Sequence, residues 1–302
     1  MQFSTLSLIV CCSVALSWAS EWGYPYLFDH QGKPFPKWGG LCARGKRQSP
    51  IDLHANGATL DEYAPLKFKN YDELQEKLLM VNNGHSVQIS GFNQKLTLSG
   101  GALLNDYEVA LIHMHWSSEH TINSNRYPLE VHIVHRNTIY PNMTMAENSE
   151  DGLVVIGVLF HTSNKPNEAL GSIINSLRTV KSWDLVDKPV FMADSLTVGD
   201  WIPSVKRYFT YAGSLTTPNC NEIVTWIVFT ETLPVTLDQV NEFKKIEFAK
   251  GKQLQNNSRE LQSDNHRAVF LVEQREERSI TAELTASVSL IMLITVCQKF
   301  LL

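Results

Sequence analysis

The sequence is poor in several features that commonly announce a function. Basic residues number 26 against 31 acidic ones in 302, a net charge of −5, and no basic cluster exceeds two or three residues. That argues against a nucleic-acid partner, because phosphate binding needs a concentrated basic surface. GxGxxG, Walker and GxSxG motifs are missing, and with them the usual nucleotide and serine-hydrolase signals. Low-complexity linkers and internal repeats are missing too, so one large domain is expected. No apolar run reaches the roughly 20 residues of a spanning helix. Cysteine is scarce, with five in the chain.

The two ends account for three of those cysteines. Residues 1–19 hold a mostly apolar run, Leu6–Leu16, followed by Ser17-Trp18-Ala19. Small residues stand where a signal peptidase inspects, so a secretory signal cut after Ala19 is expected, although no Lys or Arg precedes the run. Residues 279–302 place small side chains at Ser279–Ala282, then a spacer, then the run Val288–Cys297. This fits a glycolipid-anchor signal with attachment at Ser279. Gln298 and Lys299 interrupt the tail, and an uncleaved membrane anchor stays as the alternative. Without both ends, Cys11, Cys12 and Cys297 are gone and Cys42 and Cys220 are left. In an oxidising compartment that lone pair is most simply one disulfide. Sequons at Asn142 and Asn256 agree with export to the cell surface. One domain is expected over residues 20–278.

Present instead are β-branched and aromatic runs. VQISGF, KLTLSG, YEVALIHMHW, LEVHIVHRN, GLVVIGVLFHT, PVFMA and IVTWIVFTE read as strands. Several are apolar on both faces, as central strands of a covered sheet should be. Helical patterning is sparse, strongest at Asn167–Val180 and at Thr236–Ala249 with Asp238 near its start. The irregular N-terminal stretch around Trp22, Tyr24 and Trp38 is expected to wrap a surface. The fold class is mostly β (α+β), a single domain with a few peripheral helices.

Within LIHMHWSSEH, residues 111–120, His113 and His115 stand two apart on a strand and so project from one face. His132 on the next strand can join them. Three neutral imidazoles with an open fourth position describe a catalytic zinc site. Taken singly, an HxH in a strand is weak evidence, and His120, His135 and His161 read as hydrogen-bonded core or surface residues. Glu130 lies two before His132 on the same face, where it can accept the imidazole's other N–H. Glu119 lies on the face of His115, and burying a carboxylate there is costly without a role.

Further pieces occur in order: WGY (22–24), QSPI (48–51), NNGH (82–85), HMHW (113–116), SEHT (118–121), EVHIVH (130–135), DGLVV (151–155), SLTTP (214–218), TWIVF (225–229) and NHR (265–267). This set resembles the α-class carbonic anhydrases, of the secreted or membrane-anchored type, over about residues 22–272. The resemblance implies a large, twisted, mainly antiparallel central sheet and a monomer. It also implies Zn2+ on His113, His115 and His132, with hydroxide generated there converting carbon dioxide to bicarbonate. Thr216 would accept a hydrogen bond from that hydroxide and donate to an ionised Glu119, with Thr217 beside the water path. Val134, Val155, Leu215, Val224 and Trp226 would form the apolar carbon dioxide pocket. His85 would shuttle protons, over waters ordered by Tyr24, Asn83 and Gln88. The backbone carbonyl of Asn265 would support His115.

Two departures stand out. Gln88 replaces a shorter amide, and Leu111 stands where the family often has an amide that supports His113. The alternatives are a non-catalytic interaction module on the same fold and a cupin-type metal oxygenase. The latter reads His113, His115 and Glu119 as HxHx3E, but lacks its surrounding glycines and downstream motif.

Overall fold

The β-branched and aromatic runs do form strands. In the computed structural model, which describes residues 22–29 and 31–274, thirteen strands join one sheet. Ten lie on a continuous path. In chain order they are β1 (Thr59–Tyr63), β2 (Leu79–Asn82), β3 (Val87–Ser90), β4 (Tyr107–His115), β5 (Leu129–Asn137), β6 (Leu153–Thr162), β7 (Val190–Phe191), β8 (Arg207–Gly213), β9 (Val224–Phe229) and β10 (Val269–Gln274). Their order across the sheet is β7-β2-β3-β4-β5-β6-β9-β8-β10-β1. Most neighbours are antiparallel; β6 with β9, and β10 with β1, are parallel. The expected secretory signal, the C-terminal tail with Ser279, and Cys11, Cys12 and Cys297 lie outside the described residues. Among the described residues, no helix is long and apolar enough to cross a membrane.

Alternation along the central strands divides their side chains between two faces. Ile112, Met114, Val131, Ile133 and Ile156 enter the larger core. Val134, Val155, Val224 and Trp226 form a second apolar cluster on the opposite face. Each fully buried Ile or Val stabilises the fold by roughly 1.5–3 kcal/mol, so both faces resist exposure and the register is held firmly. One irregularity matters for the site. Between β4 and β5 the pairing steps from Val134↔Leu111 to His135↔Val109, leaving Ala110 as an extra residue. This bulge changes the phase of β4. Val109 enters the larger core, whereas Leu111 packs against the second cluster, on the face that also carries His113 and His115.

The helices are shorter than the sequence pattern predicts. The first is a 3-10 turn at Glu168–Leu170 continued by an α-helix at Gly171–Leu177. It stops where the Thr179 hydroxyl donates to the Ser176 carbonyl at 2.6 Å. The second spans Leu237–Phe243, opened by a capping box between Thr236 and Gln239. It does not reach Ala249, because Glu247–Ala249 turns into a short strand paired with Lys252–Gln253. The N-terminal stretch pins itself with aromatics as expected: Trp38 Nε1 donates to the Gly23 carbonyl at 2.9 Å, and the Trp22 and Trp38 rings meet edge-on at 5.2 Å.

Candidate metal centre and its cavity

Strand register assembles the histidines. Across β4 and β5, His113 stands opposite His132 and His115 opposite Glu130. The three histidines offer ring nitrogens that all lie within 4.8 Å of one another. Nε2 of His113 and Nδ1 of His132 are 3.2 Å apart. Two ligands at about 2.05 Å on a tetrahedral zinc stand roughly 3.3 Å apart, so this pair fits such an ion. His115 Nε2 points to the same place and is buried with no hydrogen-bond partner. An orphaned buried nitrogen beside two converging ones is costly unless a cation fills the gap.

The outer nitrogens are held. His115 Nδ1 donates to a backbone carbonyl at 2.8 Å, which belongs to Asn257. The Asn265 expected from the sequence is an exposed residue whose amide donates to the Lys46 carbonyl. Asn257 is fully buried. Its Oδ1 accepts from the Trp116 N–H at 2.7 Å, and its Nδ2 donates to the His85 and Met114 carbonyls. His132 Nε2 donates to Glu130 Oε1 at 2.8 Å.

Glu130 also holds His120, which the sequence alone marks as unremarkable. His120 Nδ1 meets Glu130 Oε1 at 2.7 Å, and its Nε2 meets the Tyr211 hydroxyl at 2.7 Å. Tyr211 in turn donates to Ser49 Oγ at 3.0 Å. Burial alone would raise the Glu130 pKa, but His120 and His132 outweigh it and hold the carboxyl well below its usual range. Burial pushes all three cluster histidines down, His115 to about 4. They are therefore neutral, the form a metal requires.

Glu119 stands outside that ligand set. Its Oε1 accepts the Arg259 backbone N–H at 2.8 Å. Oε2 is buried without a hydrogen-bond partner, 3.5 Å from His115 Nε2. Burial lifts its pKa to about 7, against the lowering influence of His132, the Thr216 hydroxyl and the Arg259 N–H. A cation on the neighbouring imidazoles favours the ionised carboxylate.

Thr216 is buried on the loop after β8. That loop is fixed at several points. Leu215 N–H donates to the Asn221 carbonyl, and Cys220 N–H to the Thr217 carbonyl. Trp226 Nε1 donates to the Ser214 carbonyl at 3.1 Å. Gly213 begins the loop, and a Cβ there would lie 2.3 Å from Ser49 Oγ. Cys42 and Cys220 form a disulfide, the pairing expected from the sequence.

A cavity opens in front of the histidines. Leu111, His113, His115, Val134, Leu215 and Thr217 line it, together with Tyr24, Asn83, His85 and Gln88. Met143, Glu147 and Leu153 border it as well, with no signal in the sequence to single them out. Val155, Val224 and Trp226 lie in the apolar cluster behind Val134. His85 stacks on Trp22, with ring centres 3.6 Å apart and planes within 11°. Burial in this pose pulls its pKa down to about 4. Of the sequon residues, Asn142 is exposed at a helix start, while Asn256 is half-buried and its Oδ1 accepts from Ser117 and Ser258.

Comparison with known proteins adds a family. The model of the eukaryotic-type carbonic anhydrases matches residues 34–273. Carbonic anhydrase 4 of Oryctolagus cuniculus is 32% identical over 247 residues, 78% of this chain and 78% of that protein.

Proposed function

The chain belongs to the eukaryotic-type carbonic anhydrases and interconverts carbon dioxide and bicarbonate; we propose that it does so with zinc on His113, His115 and His132 and with His85 carrying the proton away. The observation that carries this reading is the convergence of three neutral imidazoles, two buried and one half-buried, one with an orphaned nitrogen aimed at the shared point.

When bound, zinc lowers the pKa of a water it holds to about 7 and so supplies hydroxide at neutral pH. Asn257 and Glu130 hold the rings of His115 and His132 with their inward nitrogens unprotonated. With zinc bound, Thr216 would accept a hydrogen bond from the hydroxide and donate one to Glu119 Oε2, the carboxylate oxygen that has no other partner. The pair would hold the attacking oxygen in orientation, a contribution of position rather than of proton transfer. Val134 and Leu215, backed by Val155, Val224 and Trp226, give the apolar substrate an environment that water does not contest. Thr217 borders the same space.

His85 would work in two poses, of which the structure holds the stacked one. Stacked on Trp22 it is neutral at all but acid pH. Turned toward the wet cavity, its pKa returns toward the usual value of about 6.5, where it accepts a proton and passes it on. Tyr24, Asn83 and Gln88 line the intervening space and would order water there. The disulfide suits an oxidising compartment. We further propose a monomer at the cell surface, glycosylated at Asn142 and Asn256 and attached to the membrane at or near Ser279, a reading that the disulfide supports.

Stopped-flow carbon dioxide hydration on protein of measured zinc content tests this reading. Zinc-loaded wild type should turn over, and His132→Ala should lose both metal and activity. His85→Ala should slow in weak buffer and recover with added imidazole. Absence of hydration by fully zinc-loaded wild type would sink the proposal.

A further inference from the structure

A metal-bound imidazole needs an acceptor for its outer N–H, which sets its tautomer and holds its ring. Two of the three candidate ligands have one: the Asn257 carbonyl for His115 and Glu130 for His132. His113 is different. Its Nε2 faces His132 Nδ1 at 3.2 Å, so its proton belongs on Nδ1, and the sequence puts Leu111 where an acceptor could have stood.

We propose that the side-chain amide of Gln88, reaching from the neighbouring strand, is the acceptor that orients His113. The inference rests on the zinc reading above and concerns only this ligand. His113 has four near neighbours on its face of the sheet. Leu111 and His115 precede and follow it on β4, His132 is opposite on β5, and Gln88 is opposite on β3. Leu111 has no acceptor. The inward nitrogens of His115 and His132 converge with His113 Nε2, and their outer nitrogens are already engaged. Gln88 alone remains.

Its reach is sufficient. Directly opposed residues of antiparallel strands share a face, with Cβ atoms about 4.5–5.5 Å apart. A glutamine extends its amide two carbons beyond Cβ, long enough to meet the neighbouring ring. Gln88, Leu111 and His113 border one cavity. Among the described residues, neither the Gln88 amide nor His113 Nδ1 makes a hydrogen bond, so each is available to the other once the ring is fixed. The two departures from the family pattern thus compensate: the amide missing at Leu111 is supplied across the sheet by the longer side chain at Gln88. Gln88 acts through His113 and is a positioning residue.

The test is the rate at which zinc passes to a chelator in excess, followed with a zinc indicator. Four proteins are compared: wild type, Gln88→Leu, Leu111→Gln, and the double variant. Gln88→Leu should release zinc about 10–100-fold faster. Adding Leu111→Gln to it should restore most of the retention, while Leu111→Gln alone should change release less than about threefold. Nitrogen-labelled histidine spectra of the zinc-loaded protein should lose one slowly exchanging ring N–H in Gln88→Leu and no other. Gln88→Asn, too short to reach the ring, serves as a second variant if the leucine disturbs folding. Unchanged release in the Gln88 variants would overturn the proposal. So would a tenfold slower release in Leu111→Gln alone, because His113 would then have lacked an acceptor in wild type. A wild-type protein that holds no zinc would instead refute the functional reading itself.

Discussion

The metal face and the loop opposite it are built in different ways. His113, His115, His132 and Glu130 sit on two adjacent strands, and ladder register alone puts each opposite its partner. Thr216 sits on an irregular loop held by ties from distant parts of the chain. The disulfide joins it to Cys42. Arg259 binds the Cys42 and Ser49 carbonyls and the Gln48 amide through its guanidinium, while its backbone N–H holds Glu119. A ladder spreads its support over many hydrogen bonds, whereas a loop concentrates its support in a few contacts of high sequence separation. Damage to the strand face should therefore appear as lost metal, and damage to the loop as lost geometry with metal retained.

The largest expected effect is on the loop. Removing the Cys42–Cys220 bridge, 178 residues apart, costs up to about 5 kcal/mol of stability by chain entropy, an upper figure. On a reductant titration in native buffer, hydration activity should fall before circular dichroism reports unfolding, with zinc content unchanged. Activity and ellipticity falling together would erase the distinction between the two regions.

Next comes a pH effect on the strand side. His135 is fully buried on β5, bonded to the Tyr71 hydroxyl and the Val154 carbonyl, and burial lowers its pKa to about 4. Between pH 6.5 and 4 the unfolded chain binds the proton and the folded chain does not, so stability rises with pH in that window. The contribution is fully present above about pH 6.5 and is lost as pH falls through 4, about 3 kcal/mol in all. Thermal melts of zinc-free protein should show this slope added to those of His85, His113, His115 and His132, and His135→Gln should make it shallower without abolishing it. Equal slopes in both proteins would exclude His135 as its source.

Thr216→Val should follow, with kcat/KM reduced about 100-fold and zinc affinity unchanged, because the loop contributes alignment. Loss of zinc in this variant would show that the loop supports the metal as well. Smallest is Glu130→Gln, with zinc held about 10–100-fold less tightly in chelator competition. A normal affinity there would mean that the Asn257 carbonyl and strand register suffice to present the ligands.

The same division separates what could be read in the sequence from what could not. His113, His115, His132 and Glu130 follow from a period of two and the adjacency of consecutive strands, both local properties. Asn257 does not. Its contribution to His115 is a backbone carbonyl 142 residues away, and any residue type offers a carbonyl, so the side chain leaves no reliable mark. Family likeness pointed instead to Asn265, which lies exposed at the surface. His120 was passed over for a related reason: its value lies in Glu130 and Tyr211, which flank it only after folding. At Thr236–Ala249 the apolar pattern continues into Phe248, but the helix ends at Phe243 and the chain has already turned into a strand.

By itself, the sequence determined the strand-rich class, the strand face that carries the three histidines, the Cys42–Cys220 pair and the family, because alternation, side-chain chemistry and ordered motifs are written residue by residue. Tertiary structure alone decided which carbonyl supports His115, how Arg259 ties Glu119 to the disulfide, and that Gln88 stands across from His113. Those are relations between segments distant in sequence, and their energies exist only when packing brings the segments within hydrogen-bond reach.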